Sequence, residues 1–389
     1  MKQLEDKILQ ILPALTDFRK DLHRNPELGF SEYRTSKKVA EYLGGLGLEV
    51  TVGVGGTGVV GYLRGGMPGK TIALRACLDA LPVKEASGVP YSSEIDGVMH
   101  ACGHDGNMAF VLGAATVLSQ VKSTLRGTVK FLFQPSEENT GGAMEMIRAG
   151  AIDDVDAIVH LHNWHGLRLG KIAVAKGAVL ASSDLFKLVI VGKPGHGAWP
   201  HLAVDPVPVA AEIISALQRI VSREIDPMKP ATISIGRIFG GTAANVIPDS
   251  VTLEGTVRAL DADVRDLIRN RVGEAAKSIA EGARASCEVS YKRIMPPARN
   301  DPALSDRAFA VLSRVLGPGM VTDSFPPSMG CEEFSLFQER IPGLFLFIGN
   351  DVPGGGVIPL HSPDYIFHDE ILTPGIKALC ALSLDWCGA

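Results

Sequence analysis

Four absences narrow the possibilities. The 389-residue chain has no long basic run, and its 38 Lys and Arg against 43 Asp and Glu leave a formal charge of −5. Such a chain is poorly suited to coating a phosphate backbone, so nucleic-acid binding is not expected. Six cysteines, Cys77, Cys102, Cys287, Cys331, Cys380 and Cys387, are too sparse for the disulfide scaffold of a small secreted protein. No stretch approaches the ~18 unbroken apolar residues that span a bilayer. Internal repeats and low-complexity tracts are also missing. What remains is 46% hydrophobic and 21% charged, enough for large buried cores and too long for one ordinary domain. The opening residues mix acids and bases with Leu4, Ile8, Ile11, Leu15 and Leu22 near helical spacing, a pattern unlike a leader peptide. A cytoplasmic protein is expected.

Up to about residue 180, short apolar runs alternate with helical patterns. The runs 59–65, 70–76, 127–134 and 157–163 read as strands, and 105–121 and 140–150 as helices. The rhythm changes in the middle of the chain. Strand patterns at 185–193, 231–241, 250–260 and 286–294 enclose helices at 206–224 and 261–284, the second capped by Asp261. That βαββαβ order is a split βαβ sandwich. The earlier style resumes with a strand at 343–350 and a terminal helix at 369–386. The expected architecture is α/β and two-domain. A mixed-sheet α/β/α catalytic domain, 1–182 with 295–389, is interrupted by a smaller α+β, ferredoxin-like domain at 183–294.

Polar groups with chemical potential cluster where strands end. Asp79, Glu137, Glu138, His162 and His361 each lie at or beyond such an end, the region where open α/β sheets bind ligands. Cys102 and His104, in MHACGHDGN, precede a helix whose N-terminal partial charge is expected to favour a thiolate. A buried thiol beside a packed imidazole is the plainer reading of that pair. Consecutive Glu137 and Glu138 would let one carboxylate hold a metal while the other faces a water, the division metal-assisted hydrolysis needs. Taken alone, two adjacent glutamates more often form a solvated loop. Among His160, His162 and His165, His162 is preferred as a ligand; His160 reads as a structural neighbour and His165 as a surface residue beyond the strand. His196, flanked by glycines in GKPGHGAWPH, is either a functional loop residue or an ordinary turn histidine. The glycine-rich 53–61 segment lacks a following helix, so it is a turn between strands and not a dinucleotide loop. Cys and His suit zinc, while carboxylate and His also admit manganese, cobalt or nickel.

These motifs, in order with LHRNPELGFSEYRTS (22–36), ALRACLDALPVKE (73–85), FQPSEENTGGA (133–143), GGTAANVIPDSV (240–251), MGCEEFSLF (329–337) and LHSPDY (360–365), resemble the dinuclear-metal aminoacylase and carboxypeptidase superfamily. The branch resembled is the amidohydrolase group of hippurate hydrolases, N-acyl-amino-acid hydrolases and auxin-conjugate hydrolases. The resemblance implies two divalent ions, Zn or Mn with Co or Ni possible, held by Cys102, His104, Glu138, His162 and His361, with Cys102 the bridge. It makes Glu137 the general base and Asp79 the carboxylate supporting the metals from beneath. His196 matches a lid histidine that polarises the scissile carbonyl, in this superfamily sometimes that of the neighbouring subunit, and Asn245 a lid position contacting substrate. It further implies a homodimer through the lid, or a tetramer, acting on a small N-acyl amino acid or conjugate.

The chain departs from the usual residues at Cys77, Asn107, Cys331 and Glu333, where Asp, His, Ser and Asp are expected. None is an expected metal ligand, but such neighbours tune metal affinity. Alternative readings keep the metal site for carboxypeptidase-type cleavage or deamination, lose catalysis for metal binding alone, or use Cys77 or Cys102 as a thiol nucleophile.

Overall fold

A computed structural model describes residues 2–139 and 141–388. Thr140, inside one expected helix, lies outside the described residues. The chain divides into two compact units. The first comprises 1–177, 299–326 and 336–389, the second 178–298 and 327–335. The segment 327–335 therefore groups with the second unit, whereas the sequence pattern assigned everything after 295 to the first.

The first unit is built on a mixed eight-stranded sheet. Across it run Glu49–Val54, Gly58–Arg64, Arg126–Gln134, Met67–Cys77, Ala157–Arg168, Gly343–Asp351, Ile172–Ala173 and Val321–Thr322. The four long central strands are parallel. Their near-continuous apolar character follows from burial on both faces, as for FLFQ and LFLFIG. The 53–58 segment turns between two antiparallel strands, as its sequence implied. The first of those strands, Glu49–Val54, escapes the sequence pattern because it lies at the sheet edge with most side chains exposed.

One parallel strand is longer than its sequence suggests. Ala157–Arg168 continues past Asn163, because its ladder with Gly343–Asp351 persists through Gly349 opposite Trp164 and resumes after a bulge at Asp351 opposite Arg168. Trp164 and His165 thus lie within the strand. His165 is half-buried and accepts a hydrogen bond from the Leu360 N–H, so it is not the surface residue expected.

Helix His104–Ser119 is the central helix of this unit, buried from His104 to Leu118. It packs against the sheet and against helices Lys2–Arg24 and Leu372–Trp386. Its first turn is pinned by charge. Asp105 accepts from Arg19 and from His23 Nδ1, both at 2.9 Å, and His23 Nε2 reaches Glu85 at 3.2 Å. Asp105 also sits at the helix N-terminus, where negative charge is favoured.

The second unit carries a four-stranded antiparallel sheet in the order Ala231–Gly240, Ser250–Ala259, Ser183–Val191, Ser286–Met295. Numbered within the unit that is 2-3-1-4, the split βαβ order. Ser250–Ala259 alternates buried and half-buried residues along its whole length, the period of a sheet covered on one face. The cover is Pro206–Arg219, whose Val209, Ala210, Ile213, Ala216 and Leu217 form one buried stripe, and Ala262–Gly282, capped by Asp261 through the Asp263 and Val264 amides.

The charge clamp on the central helix should show in the pH dependence of stability. Burial disfavours charge on His23, but Asp105 and Glu85 outweigh it and raise its pKa to about 9. An unfolded imidazole titrates near ~6.5. Its stabilising contribution is therefore complete below about pH 6.5 and is lost as pH rises through about 9. In urea unfolding, the stability gap between wild type and His23→Gln should narrow steadily between those pH values. A gap independent of pH would show that His23 is not a charged clamp.

Candidate metal centre

The parallel sheet brings distant segments to one edge. Met67–Cys77 and Arg126–Gln134 run side by side with Cys77 opposite Gln134, so Asp79 and the Ser136–Glu138 loop leave the sheet together. The loop is tied down at once, because the Glu138 N–H donates to Asp79 Oδ2 at 2.8 Å. His162 lies on the adjacent parallel strand, opposite Phe347. His361 follows the next strand, in a left-handed backbone conformation, φ 69°. Cys102 and His104 arrive at the start of the central helix. Gly103 between them has φ 73°, and a Cβ there would lie 2.4 Å from Asn163 Nδ2, so this turn requires glycine.

All five expected ligands converge. Ligand atoms of Cys102, His104 and His162 lie within 4.8 Å of one another, as do those of Cys102, Glu138 and His361, and those of His104, Glu137 and Glu138. Cys102 Sγ is 3.6 Å from His162 Nε2, and His361 Nε2 is 3.2 Å from Glu138 Oε1. Glu137 is only 7% exposed, which excludes the solvated acidic loop. His104 Nδ1 donates to the Asp79 carbonyl at 2.8 Å and stands 3.5 Å from Asp79 Oδ1, leaving Nε2 for a ligand. His162 Nδ1 likewise donates to the Asn163 carbonyl at 2.6 Å. His160 points elsewhere, donating from Nδ1 to the Arg75 carbonyl.

The donor set fits divalent cations. A thiol, imidazoles and carboxylates are packed together, and the partner at hand for Glu138 Oε1 is His361, itself an expected ligand. For Cys102 the helix end is outweighed: burial first, then the charges of Glu138 and Glu137, push its thiol well above the usual range. The carboxylates are closer and stronger than the partial charge of the helix. Burial opposes charge on His104, but Asp79 and Glu138 prevail and raise its pKa to about 9.

Two of the departures acquire a structural account. Asn107, in the first turn of the central helix, accepts from both the backbone N–H and the side-chain amide of Asn163. It thereby fixes the stretch of strand carrying His162. The same Asn163, which lies in none of the sequence motifs, bonds the Cys102 carbonyl and accepts from the Tyr365 hydroxyl, joining two of those motifs in one bracing network. Cys77 is buried, its Sγ within 4.8 Å of ligand atoms of Asp79 and His104. Cys331 and Glu333 belong to the second unit.

The second unit holds the other two expected residues, and it brings them together. His196 and Val246 pair in a two-stranded ladder, and the Gly197 N–H donates to the carbonyl of Asn245. His196 and Asn245 are both exposed, with the Trp199 ring 4.8 Å from the imidazole.

A cation entering the cluster must displace protons from His104 and Cys102. Apparent affinity for Zn2+ or Mn2+ should therefore rise with pH between 6 and 8, about tenfold per pH unit for each proton released. Calorimetry in buffers of different ionisation enthalpy counts those protons. Binding without proton release would contradict the protonation states described.

Comparison with known proteins places the chain. Residues 73–385 match the model of peptidase family M20/M25/M40. The thermostable carboxypeptidase 2 of Saccharolobus solfataricus is 40% identical over 99% of this chain and 97% of its own length. The N-acetylcysteine deacetylase of Bacillus subtilis is 39% identical, over 95% of this chain and 96% of its own. Among solved structures, a Bacillus subtilis protein described as a dinuclear metal binding peptidase of the M20 family superposes with a TM-score of 0.87 at 35% identity, covering 97% of this chain and 99% of that one. The chain belongs to peptidase family M20/M25/M40 and is a hydrolase.

Proposed function

We propose that this hydrolase is a metal-dependent amidohydrolase that cleaves small N-acyl amino acids or related conjugates. The observation that carries the reading is the convergence of Cys102, His104, Glu138, His162 and His361 around a buried Glu137. The Bacillus subtilis relatives named above support the substrate class and the pair of cations. Zn or Mn is the favoured metal, with Co or Ni accommodated by the same donors.

When bound, the cations supply Lewis acidity that makes water acidic near neutrality and draws electron density from the amide carbonyl. The remaining work falls to side chains. Glu137 accepts the proton of the attacking water at its carboxylate and returns it to the leaving nitrogen. Asp79 holds His104 through its own carbonyl and the Glu138 amide through its carboxylate, keeping ligand and loop in register. His196 donates a hydrogen bond to the developing oxyanion, and neighbouring Asn245 contacts substrate. The unit containing them, 178–298 with 327–335, serves as lid and as the contact of a homodimer. A cytoplasmic location agrees with six cysteines that form no disulfide among the described residues, and no described helix is long and apolar enough to cross a membrane.

Carboxypeptidase-type cleavage at the same centre is the second reading, favoured by the Saccharolobus solfataricus relative. Parallel assays on N-acetyl amino acids and on N-blocked dipeptides separate the two.

Glu137→Gln should retain full metal content while kcat falls by about 10²–10⁴-fold, the usual worth of a general base. Undiminished turnover would remove Glu137 from that role. Cys77→Asp should shift the Zn:Mn preference, because it places a charged carboxylate beside Asp79 and His104 and so changes the basicity of the ligand imidazole. Competition dialysis followed by elemental analysis reads the shift, and an unchanged Zn:Mn ratio would reduce Cys77 to packing.

A further inference from the structure

The segment 25–36 carries one of the sequence motifs, yet nothing in the proposed chemistry uses it. Its side chains are committed to backbone amides elsewhere. Glu27 caps the following helix, accepting from the Arg34 and Thr35 N–H groups, and its carbonyl accepts from the Ala80 N–H. Leu28 forms a parallel bridge with Ala80, one residue beyond Asp79. Glu32 is fully buried. Its Oε1 accepts the Ser136 N–H at 2.8 Å, across 104 residues of chain, and its Oε2 accepts the Thr57 hydroxyl at 2.5 Å.

Ser136 is an unusual residue to hold. It is not glycine, yet its φ is +45°, a left-handed conformation that an L-residue rarely adopts unless the surroundings hold it there. It packs so closely on the 25–36 segment that a Cβ at Gly29 would lie 2.5 Å from its Oγ. The amides flanking Glu137 are thus each bound by a separate buried carboxylate, Ser136 N–H by Glu32 and Glu138 N–H by Asp79. Both carboxylates are fixed by the fold, and Glu137 stands between them.

We infer that Glu32 is a positioning residue for catalysis, holding Ser136 in its left-handed turn so that the Glu137 carboxylate is aimed at the reacting water. The inference rests on the proposed role of Glu137 as general base. The acceptor oxygen matters here, not the negative charge. A glutamine at 32 keeps an oxygen for the Ser136 amide and donates to the Thr57 hydroxyl oxygen with its nitrogen.

The test compares Glu32→Ala, Glu32→Gln and Thr57→Val in the full-length protein loaded with Mn2+. Hydrogen exchange is followed by mass spectrometry in a peptide covering 133–139, and kcat and KM are measured on N-acetyl amino acids. Glu32→Ala should speed exchange in that peptide at least tenfold and leave it unchanged across 105–118. Its kcat should fall about 100-fold with KM within threefold, as expected when a reacting group is displaced by about 1 Å. Glu32→Gln should restore kcat to within threefold of wild type. Thr57→Val, which frees Oε2 alone, should lower kcat by about tenfold and carries the test if Glu32→Ala does not fold. Wild-type exchange and kcat in every variant that folds would overturn the inference. So would a Glu32→Gln loss equal to that of Glu32→Ala, since charge would then be the operative property. A wild-type enzyme inactive on the whole substrate panel would refute the proposed reaction, while the exchange data would still decide whether Glu32 holds the loop.

Discussion

Too much negative charge in too small a space is the condition from which the first unit's architecture follows. Asp79, Glu137 and Glu138 crowd one end of the sheet with Cys102 among them, all largely out of water. Isolated carboxylates buried in this way cost several kcal/mol each unless paired. The fold leaves Glu138 Oε1 to the half-exposed His361 and drives the Cys102 thiol far above its normal range. A protein optimised for stability alone would not arrange its groups so. The arrangement makes sense as a receptor for positive charge, in which divalent cations replace the protons on thiol and imidazole and relieve the repulsion.

The surrounding structure keeps that charge in place. Parallel strands deliver Asp79 and the Glu137 loop at the same level. The central helix brings Cys102 and His104 across, and Asn107 fastens it to the strand that bears His162. Farther out, Arg19 and His23 hold the helix through Asp105, while Glu32 reaches the loop from the opposite side. Cys102, His104 and His162 thus stand on or beside regular elements with hydrogen-bonded neighbours, which is what maintains metal affinity and geometry.

Much of this was readable from residue order. The periodicity change near residue 183 marked the split βαβ sheet, and short apolar runs located the long parallel strands. Ligand-type residues at strand ends, read with the resemblance, picked out the five side chains that the fold gathers. What escaped the sequence depended on tertiary surroundings. Helix-end partial charge suggested a thiolate at Cys102, but only the packed structure shows how near Glu137 and Glu138 approach. The edge strand at 49–54 is mostly exposed and lacks the apolar signal of its neighbours. His165 looked like a surface residue because a ladder continuing through a bulge leaves no periodic trace. The hold of Glu32 on Ser136 spans 104 residues, and no local pattern encodes it.

The central claim is that cations occupy the cluster formed by residues 102, 104, 138, 162 and 361. Crystals grown with excess Mn2+ or Zn2+, and measured at the absorption edge of the metal, address it most directly. The account predicts two strong anomalous peaks per chain among those five side chains. Anomalous signal confined to other parts of the surface, with the five side chains apart from any ion, would contradict it.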